Sequence, residues 1–344
     1  MKTVNIGLIG AGFMAKAHSI AYAGMPMFFW PAPAIPVKKI LVDINKEVAE
    51  DSAAKLGFEK WGTDWHEIIN DPEIDIVDIC TPNNVHAEIA IAAAKAGKHI
   101  LCEKPFGLSY ESCRRMIQCC EDAGVKLMVA QVARWVPEFS KARQMLEDGV
   151  FGKLHMVSSR RLSQAPAWTT WHKNPDKSGG GLYDLLVHNV DYLTGMFGEV
   201  AKVSAIGWKS ESGCWNHVVV QLMFKNGVVA VDEGSLEMTG DYPFSVGLRI
   251  VGEMATLDYQ FAGGQNIESC DTTVNSIILY EKGQVPRNVE VEEKDPYELE
   301  IIDYLASISE NTSVPISPAE SLYVMKVVEA IKESLENGKT VVVE

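Results

Sequence analysis

Three ionisable side chains, Asp184, His188 and Asp191, recur at i, i+4 and i+7 on a segment otherwise built from Leu182, Tyr183, Leu185, Leu186, Val187, Val190, Tyr192 and Leu193. In a helix turning about 100° per residue, the three would fall within a ~60° arc of one face. The remaining faces are apolar enough to be buried, so the polar stripe must meet partners or a cleft, because isolated buried charge is too costly. Two readings stand at this point: a proton-handling face, or a polar network inside the core or at its edge. Imidazole suits the first, since its unperturbed pKa of ~6.5 lies near working pH. Ser178 and the run Gly179 to Gly181 precede the stripe.

Such residues need a scaffold, and the amino-terminal half supplies a recognisable one. Val4 to Ile9 is a β-branched run ending at Gly10, Gly12 and Ala15, after which Lys16 to Ala23 reads as helix. In a strand, glycine turn and helix, Gly10 permits the tight turn. Gly12 lets a pyrophosphate approach the backbone, and Ala15 lets the helix pack closely on the strand. The phosphate would rest on the free N–H groups of the helix, with Phe13 and Met14 beside it. The next strand, Lys39 to Asp43, ends in an acid placed to accept from both ribose hydroxyls. Asp43 therefore points to NAD, and NADP is disfavoured because no arginine follows directly, although Lys46 is near. A helix cap is the competing role for Asp43. The acid lies farther from the glycine turn than usual. The excess, Gly24 to Pro36, reads as a proline-rich aromatic loop near the amino ends of the strands, with Phe28, Phe29 and Trp30 in packing or a subunit contact.

Three more strand-like runs alternate with helical segments: Ile74 to Cys80, His99 to Cys102 and Lys126 to Gln131. The alternation implies an α/β fold with a doubly wound parallel sheet. Ligands of such sheets bind outside the carboxyl ends of the strands. That expectation gathers Thr81, Pro82, Asn83 and His86, then Glu103 and Lys104, then Arg134 around the cofactor. In the second half, His155 to Arg161, Val200 to Gly207, His217 to Phe224, Val228 to Leu236 and Gly247 to Val251 are strand-like. The carboxyl-terminal stretch returns to helices, near Pro296 to Glu310 and Pro318 to Asn337, before a short strand at Val341.

Bulk properties narrow the function. A chain of 344 residues with 47% hydrophobic side chains supports two packed cores. A net charge of -15 leaves no electrostatic footprint for nucleic acid or an anionic membrane. The seven cysteines are odd in number and lack CxxC spacing, which disfavours a disulfide framework or zinc site and points to a reducing cytoplasm. No metal-ligand set is evident. No apolar run is long enough to span a bilayer, and the amino terminus reads as a buried strand.

The glycine turn, the tripeptide from Glu103 to Pro105 and the glycine-rich segment carrying Asp184 and His188, in that order, resemble the Gfo/Idh/MocA family, named after glucose-fructose oxidoreductase and inositol dehydrogenase. The resemblance covers essentially the whole chain. It implies a Rossmann domain over residues 1–131 and, over residues 132–344, an α+β domain with a large open, mainly antiparallel sheet for substrate binding and oligomerisation. The terminal helices could pack back on the first domain. It also implies a catalytic trio of Lys104, Asp184 and His188, and a cis peptide before Pro105. His188 would take the proton of a substrate hydroxyl as hydride leaves the same carbon for nicotinamide. Asp184 would orient the imidazole or bind a hydroxyl, and Lys104 would stabilise charge on the reacting oxygen. Ser178 stands where the family has the first glycine of its run, and Leu186 where it has a glycine two residues before the histidine.

The implied substrate is a sugar or cyclic polyol. Arg161, Trp168, Trp171, His172 and Tyr242 are the candidate contacts beside the trio, with Asn174 and Phe244 near them. A homodimer or homotetramer is expected. Two other functions stay open: a NAD-dependent glycosidase that oxidises its ring transiently, and a catalytically silent NAD- or sugar-binding regulator. The reverse, reducing direction uses the same site.

Overall fold

The computed structural model describes residues 2–166, 170–264 and 274–344. Its α-helices are α1 (Phe13–Phe28), α2 (Lys46–Leu56), α3 (His66–Asn70), α4 (His86–Lys95), α5 (Tyr110–Ala123), α6 (Pro137–Glu147), α7 (Pro175–Ser178), α8 (Val187–Phe197), α9 (Pro296–Ser309) and α10 (Pro318–Asn337). The chain divides into two units, Met1–Trp135 with Lys294–Tyr323, and Val136–Glu293 with Val324–Glu344.

In the first unit, short runs of Val, Ile and Leu buried on both faces form a parallel sheet, as strands covered by helices on each side must. The strands are β1 (Lys2–Ile9), β2 (Ala34–Val42), β3 (Lys60–Gly62), β4 (Ile76–Ile79), β5 (His99–Glu103) and β6 (Leu127–Ala130). Their order is β3-β2-β1-β4-β5-β6, and every pairing is parallel. The chain winds outward in both directions from β1, so the crevice at its carboxyl end, between β1 and β4, is the topological switch point where such folds bind nucleotides.

One expected boundary is wrong. The presumed loop from Gly24 to Pro36 is largely regular, because α1 continues to Phe28 through Pro26 and β2 begins at Ala34. The reason is tertiary. Met25, Ala32 and Ala34 are buried against Ile301, Tyr304 and Leu305 of α9, and that apolar contact carries the helix past its glycine and proline. Phe29 packs on the same cluster, while Phe28 and Trp30 are exposed.

The second unit holds β7 (Leu154–Leu162), β8 (Val200–Lys209), β9 (Trp215–Phe224), β10 (Val229–Ser235), β11 (Phe244–Gly252), β12 (Ala255–Gly263), β13 (Val274–Glu281), β14 (Arg287–Asn288) and β15 (Val341–Val342). They form one sheet in the order β14-β13-β12-β11-β7-β10-β9-β8-β15. Only the pairing of β7 with β10 is parallel, and the rest are antiparallel. Alternating burial, such as Val218, Val220, Leu222 and Phe224 inward on β9, gives one covered face and one open face. The fold is thus α/β, a doubly wound parallel sheet followed by a large mixed, mostly antiparallel one. No helix among the described residues is long and apolar enough to cross a membrane.

Candidate active site

The cofactor end of the first unit is built by backbone constraint. Gly10 has φ +96°, and a Cβ there would come within 2.4 Å of the Cys80 carbonyl oxygen, so only glycine lets β1 turn this close to the end of β4. Gly12 caps α1 without any side-chain hydrogen bond, and a Cβ on it would meet nothing within 4 Å. The space beside Gly12 is therefore open, and a helix leaves its first N–H groups without intrahelical acceptors, which fits a dinucleotide pyrophosphate. Phe13 and Met14 begin that helix and are half-buried.

Asp43 stands just past β2, where Oδ2 accepts from the Ala11 N–H at 3.0 Å and Oδ1 from the Asn45 N–H at 2.9 Å. The cap of α2 is Asn45, whose side chain accepts from Glu47 and Val48, so the capping role considered for Asp43 belongs to its neighbour. The carboxylate keeps lone pairs for ribose hydroxyls while bracing the glycine turn. After β4, Thr81 and Pro82 are half-buried and Asn83 is buried at the start of a short 3₁₀ turn. His86 is fully buried, with Nδ1 3.0 Å from the Pro105 carbonyl and Nε2 3.0 Å from that of Thr81, so it clips together the two loops that follow β4 and β5.

At the end of β5, the Lys104–Pro105 peptide is cis. Glu103, expected among the cofactor contacts, turns inward instead. One carboxylate oxygen lies 3.1 Å from His18 Nε2, and the other accepts from the Lys104 N–H at 3.0 Å. Arg134, also expected at the cofactor, pairs through Nη1 with Glu320 at 2.9 Å, which takes up much of its reach.

In the second unit, the segment with the Asp and His stripe is not one continuous α-helix. Gly179 and Gly180 adopt positive φ, Leu182–Leu186 form a π-helical turn, and α8 begins at Val187. Asp184 therefore lies on the wider turn and His188 on the α-helix, so their angular relation departs from the uniform 100° step. The glycines are needed for proximity. A Cβ on Gly180 would come within 2.7 Å of Cys214 Cβ, and one on Gly181 within 2.9 Å of the Asn216 carbonyl. Asn216 Oδ1 fixes the turn by accepting from Gly181 N–H at 3.0 Å.

Both departures from the family pattern have a structural role. The Ser178 hydroxyl donates to the His172 carbonyl at 2.8 Å and accepts from the Gly180 N–H at 3.0 Å, tying the His172 loop to the glycine turn. Leu186 fits because the strand beneath it carries Gly234, where a Cβ would sit 2.7 Å from Leu186 Cδ1. The glycine on the strand leaves the room that the leucine on the helix fills.

His172 Nε2 lies 3.8 Å from Asp184 Oδ2, and its ring stacks on Trp171 with centroids 3.8 Å apart. His172 is thus brought to Asp184 itself. His188 is buried with 9% exposure, and Asp191 is fully buried. Arg161 Nε donates to Asn189 Oδ1 at 3.2 Å while its guanidinium stands over the Phe244 ring. The Tyr242 side chain is half-buried, and its carbonyl accepts from Gln164. Asn174 is the cap of α7, its side chain accepting from Asp176 N–H rather than standing free for substrate. Trp168 lies outside the described residues.

Two networks had not been expected from the sequence. His18, Tyr22 and Asp78 form a buried polar cluster behind β4 and β5. Ser159, Asn189 and Asp232 link β7, α8 and β10. The available signal was an acid inside each strand-like run, Asp78 among Ile and Val, and Asp232 beside Val231.

Comparison with known proteins agrees with this architecture. Residues 4–131 match the model of an oxidoreductase family with an NAD-binding Rossmann fold, and residues 139–258 match a Gfo/Idh/MocA C-terminal domain. The chain is 44% identical over 214 residues to levoglucosan dehydrogenase of Pseudarthrobacter phenanthrenivorans, a match spanning 60% of this chain and 54% of that protein. It is 31% identical to myo-inositol 2-dehydrogenase of Thermotoga maritima, over 67% of this chain and 68% of that one. A levoglucosan dehydrogenase solved in complex with NADH and levoglucosan superposes with a TM-score of 0.88 at 32% identity, covering 99% of this chain and 100% of the other. With the glycine turn, the strand order and both matched segments in agreement, the chain belongs to the Gfo/Idh/MocA family of NAD-dependent oxidoreductases.

Proposed function

We propose that this protein oxidises a secondary ring hydroxyl of a sugar or cyclic polyol, of the inositol, aldose or anhydrosugar type, with Lys104, Asp184 and His188 handling the proton. Bound NAD supplies the hydride acceptor. His188 removes the hydroxyl proton, Asp184 holds a substrate hydroxyl or the imidazolium, and the Lys104 ammonium favours negative charge on the reacting oxygen. The observation that carries the reading is the placement of Asp184 and His188 on a segment locked by Ser178, the glycine turn and Asn216, with His172 3.8 Å from Asp184. Such locking preorganises a site rather than merely filling a core. Trp171 and His172, stacked on one another, offer a flat apolar surface with a polar rim, as a hydroxylated ring requires. Arg161, Tyr242 and Trp168 complete the proposed substrate contacts. The named substrates of the relatives, levoglucosan and myo-inositol, define the chemical range.

A homodimer or homotetramer joined through the open sheet face, where Val219, Val231 and Met223 are only half-buried, is part of the proposal. So is a reducing cytoplasmic location, consistent with the six free cysteines among the described residues. The test is a panel of polyols, inositols, aldoses and anhydrosugars with NAD or NADP, followed by absorbance of the reduced cofactor. Reduction of NAD by a ring alcohol is expected. Product without net NADH would favour the glycosidase, turnover with NADP alone would refute the role of Asp43, and binding without any turnover would identify a silent regulator.

A further inference from the structure

Behind the carboxyl ends of β4 and β5, three ionisable side chains are withdrawn from solvent. His18 and Asp78 are fully buried and Glu103 is 4% exposed. They are connected end to end. The Tyr22 hydroxyl donates to Asp78 Oδ2 at 3.0 Å. His18 Nδ1 lies 2.9 and 3.1 Å from the two Asp78 oxygens. Its Nε2 makes a 3.1 Å ion contact with Glu103 Oε1 rather than an aligned hydrogen bond. Glu103 Oε2 then accepts from the Lys104 backbone N–H at 3.0 Å.

The imidazole thus lies between two carboxylates, and the nearer one, Asp78, favours its protonated form. Burial alone would oppose the charge, but Asp78 outweighs it, and the pKa of His18 stands well above its ordinary value. Two buried carboxylates and one cation are a poor source of stability, since apolar replacements of such groups are often neutral or stabilising. What the arrangement fixes is direction. With one oxygen held by His18, Glu103 presents the other to Lys104. His18 also rides on α1, whose first turn faces the proposed pyrophosphate, so one helix holds the cofactor end and the Lys104 loop in register.

We propose that His18, backed by Asp78 and Tyr22, is a positioning residue that sets Lys104 through Glu103. The catalytic part of the proposal rests on the reading of Lys104 given above. Cys80 brings a third donor type to the cluster, with Sγ 3.7 Å from His18 Nδ1 and 3.5 Å from Asp78 Oδ1. The imidazole nitrogen that Cys80 meets is already engaged by Asp78, so we read hydrogen-bonded contacts here, and the metal content of the purified protein tests that reading against coordination by His18, Asp78 and Cys80.

The experiment compares wild type with His18→Gln and Glu103→Gln. The second variant keeps shape and volume but has one oxygen, so it can answer His18 or the Lys104 N–H and not both. Hydrogen exchange of the peptide covering Cys102–Phe106 is expected to speed up by ~10-fold or more in both variants. Turnover should fall by ~10-fold or more while the NADH dissociation constant stays within about threefold, the signature of misplacement rather than lost cofactor binding. Unchanged exchange together with unchanged kcat in Glu103→Gln would overturn the proposal. So would one zinc per chain in the purified protein that disappears in His18→Gln. Lys104→Ala separates the two ideas. If it keeps full turnover, the catalytic reading of Lys104 fails, and the exchange result still decides whether His18 positions the loop.

Discussion

Replacing Asp232 by asparagine should remove a pH-dependent penalty from the second unit. Asp232 is fully buried on β10, where Oδ1 accepts from Ser159 Oγ at 2.6 Å and Asn189 Nδ2 at 2.7 Å, and no partner meets Oδ2 among the described residues. Burial raises its pKa from the ordinary 3.8 to about 7, with the Ser159 and Asn189 hydrogen bonds and the Arg161 charge opposing the rise. The folded protein therefore binds the proton more tightly than the unfolded chain. Stability is greatest, as far as this group goes, below pH 3.8, falls as pH rises through the window to about 7, and levels off above it. At 1.36 kcal/mol per pKa unit the full penalty is ~4 kcal/mol, of which rather more than half accrues between about pH 5 and 8. An asparagine in its place would keep both hydrogen bonds to its oxygen and carry no charge. Thermal unfolding of wild type and Asp232→Asn at a series of pH values between those limits should show the variant gaining ~5–10 °C relative to wild type as pH rises. Parallel curves for the two proteins would refute the buried, titrating carboxylate.

His188→Ala and Lys104→Ala should each lower kcat by ~10²- to 10⁴-fold with folding intact by circular dichroism, and near-wild-type turnover at all pH values would end the proposed mechanism. Asp43→Ala should weaken NADH binding by ~10-fold or more in a fluorescence titration, since it removes the Ala11 brace together with the proposed ribose acceptor; unchanged affinity would assign Asp43 to the turn alone. Gly234→Val should cost ~1–3 kcal/mol in urea unfolding by driving into Leu186, and with Leu186→Gly in the same chain the combined loss should fall short of the sum of the two single losses by at least ~0.5 kcal/mol. Additive losses in that cycle would show that the two positions do not exchange volume.

Much of the fold could be read from local pattern. β1, β4, β5 and β6 stand where short β-branched runs predict them, because a strand buried on both faces needs continuous apolar residues whatever its neighbours are. α9 and α10 begin at Pro296 and Pro318, residues that fit a first helical turn. The strands β12 and β13 escape that pattern, although Leu257, Tyr259 and Phe261 alternate, since Ala255 and Gly263 at the ends blur the period. Local signals end α1 at Ala23, because glycine and proline argue against helix, and only the contact with α9 reverses that.

The candidate site divides along the same line. Gly10, Gly12, Asp43, Lys104, Asp184 and His188 could be named as candidates from the sequence, because each stands at a turn, a strand end or a spacing that is local, and the family resemblance supplied the roles proposed for the last three. The π-helical turn under Asp184, the inward direction of Glu103, the pairing of Arg134 with Glu320 and the fit of Leu186 over Gly234 were decided by tertiary structure. Each depends on what a distant segment places opposite the residue, and a side chain's partner is fixed by packing between elements rather than by its own neighbours in sequence.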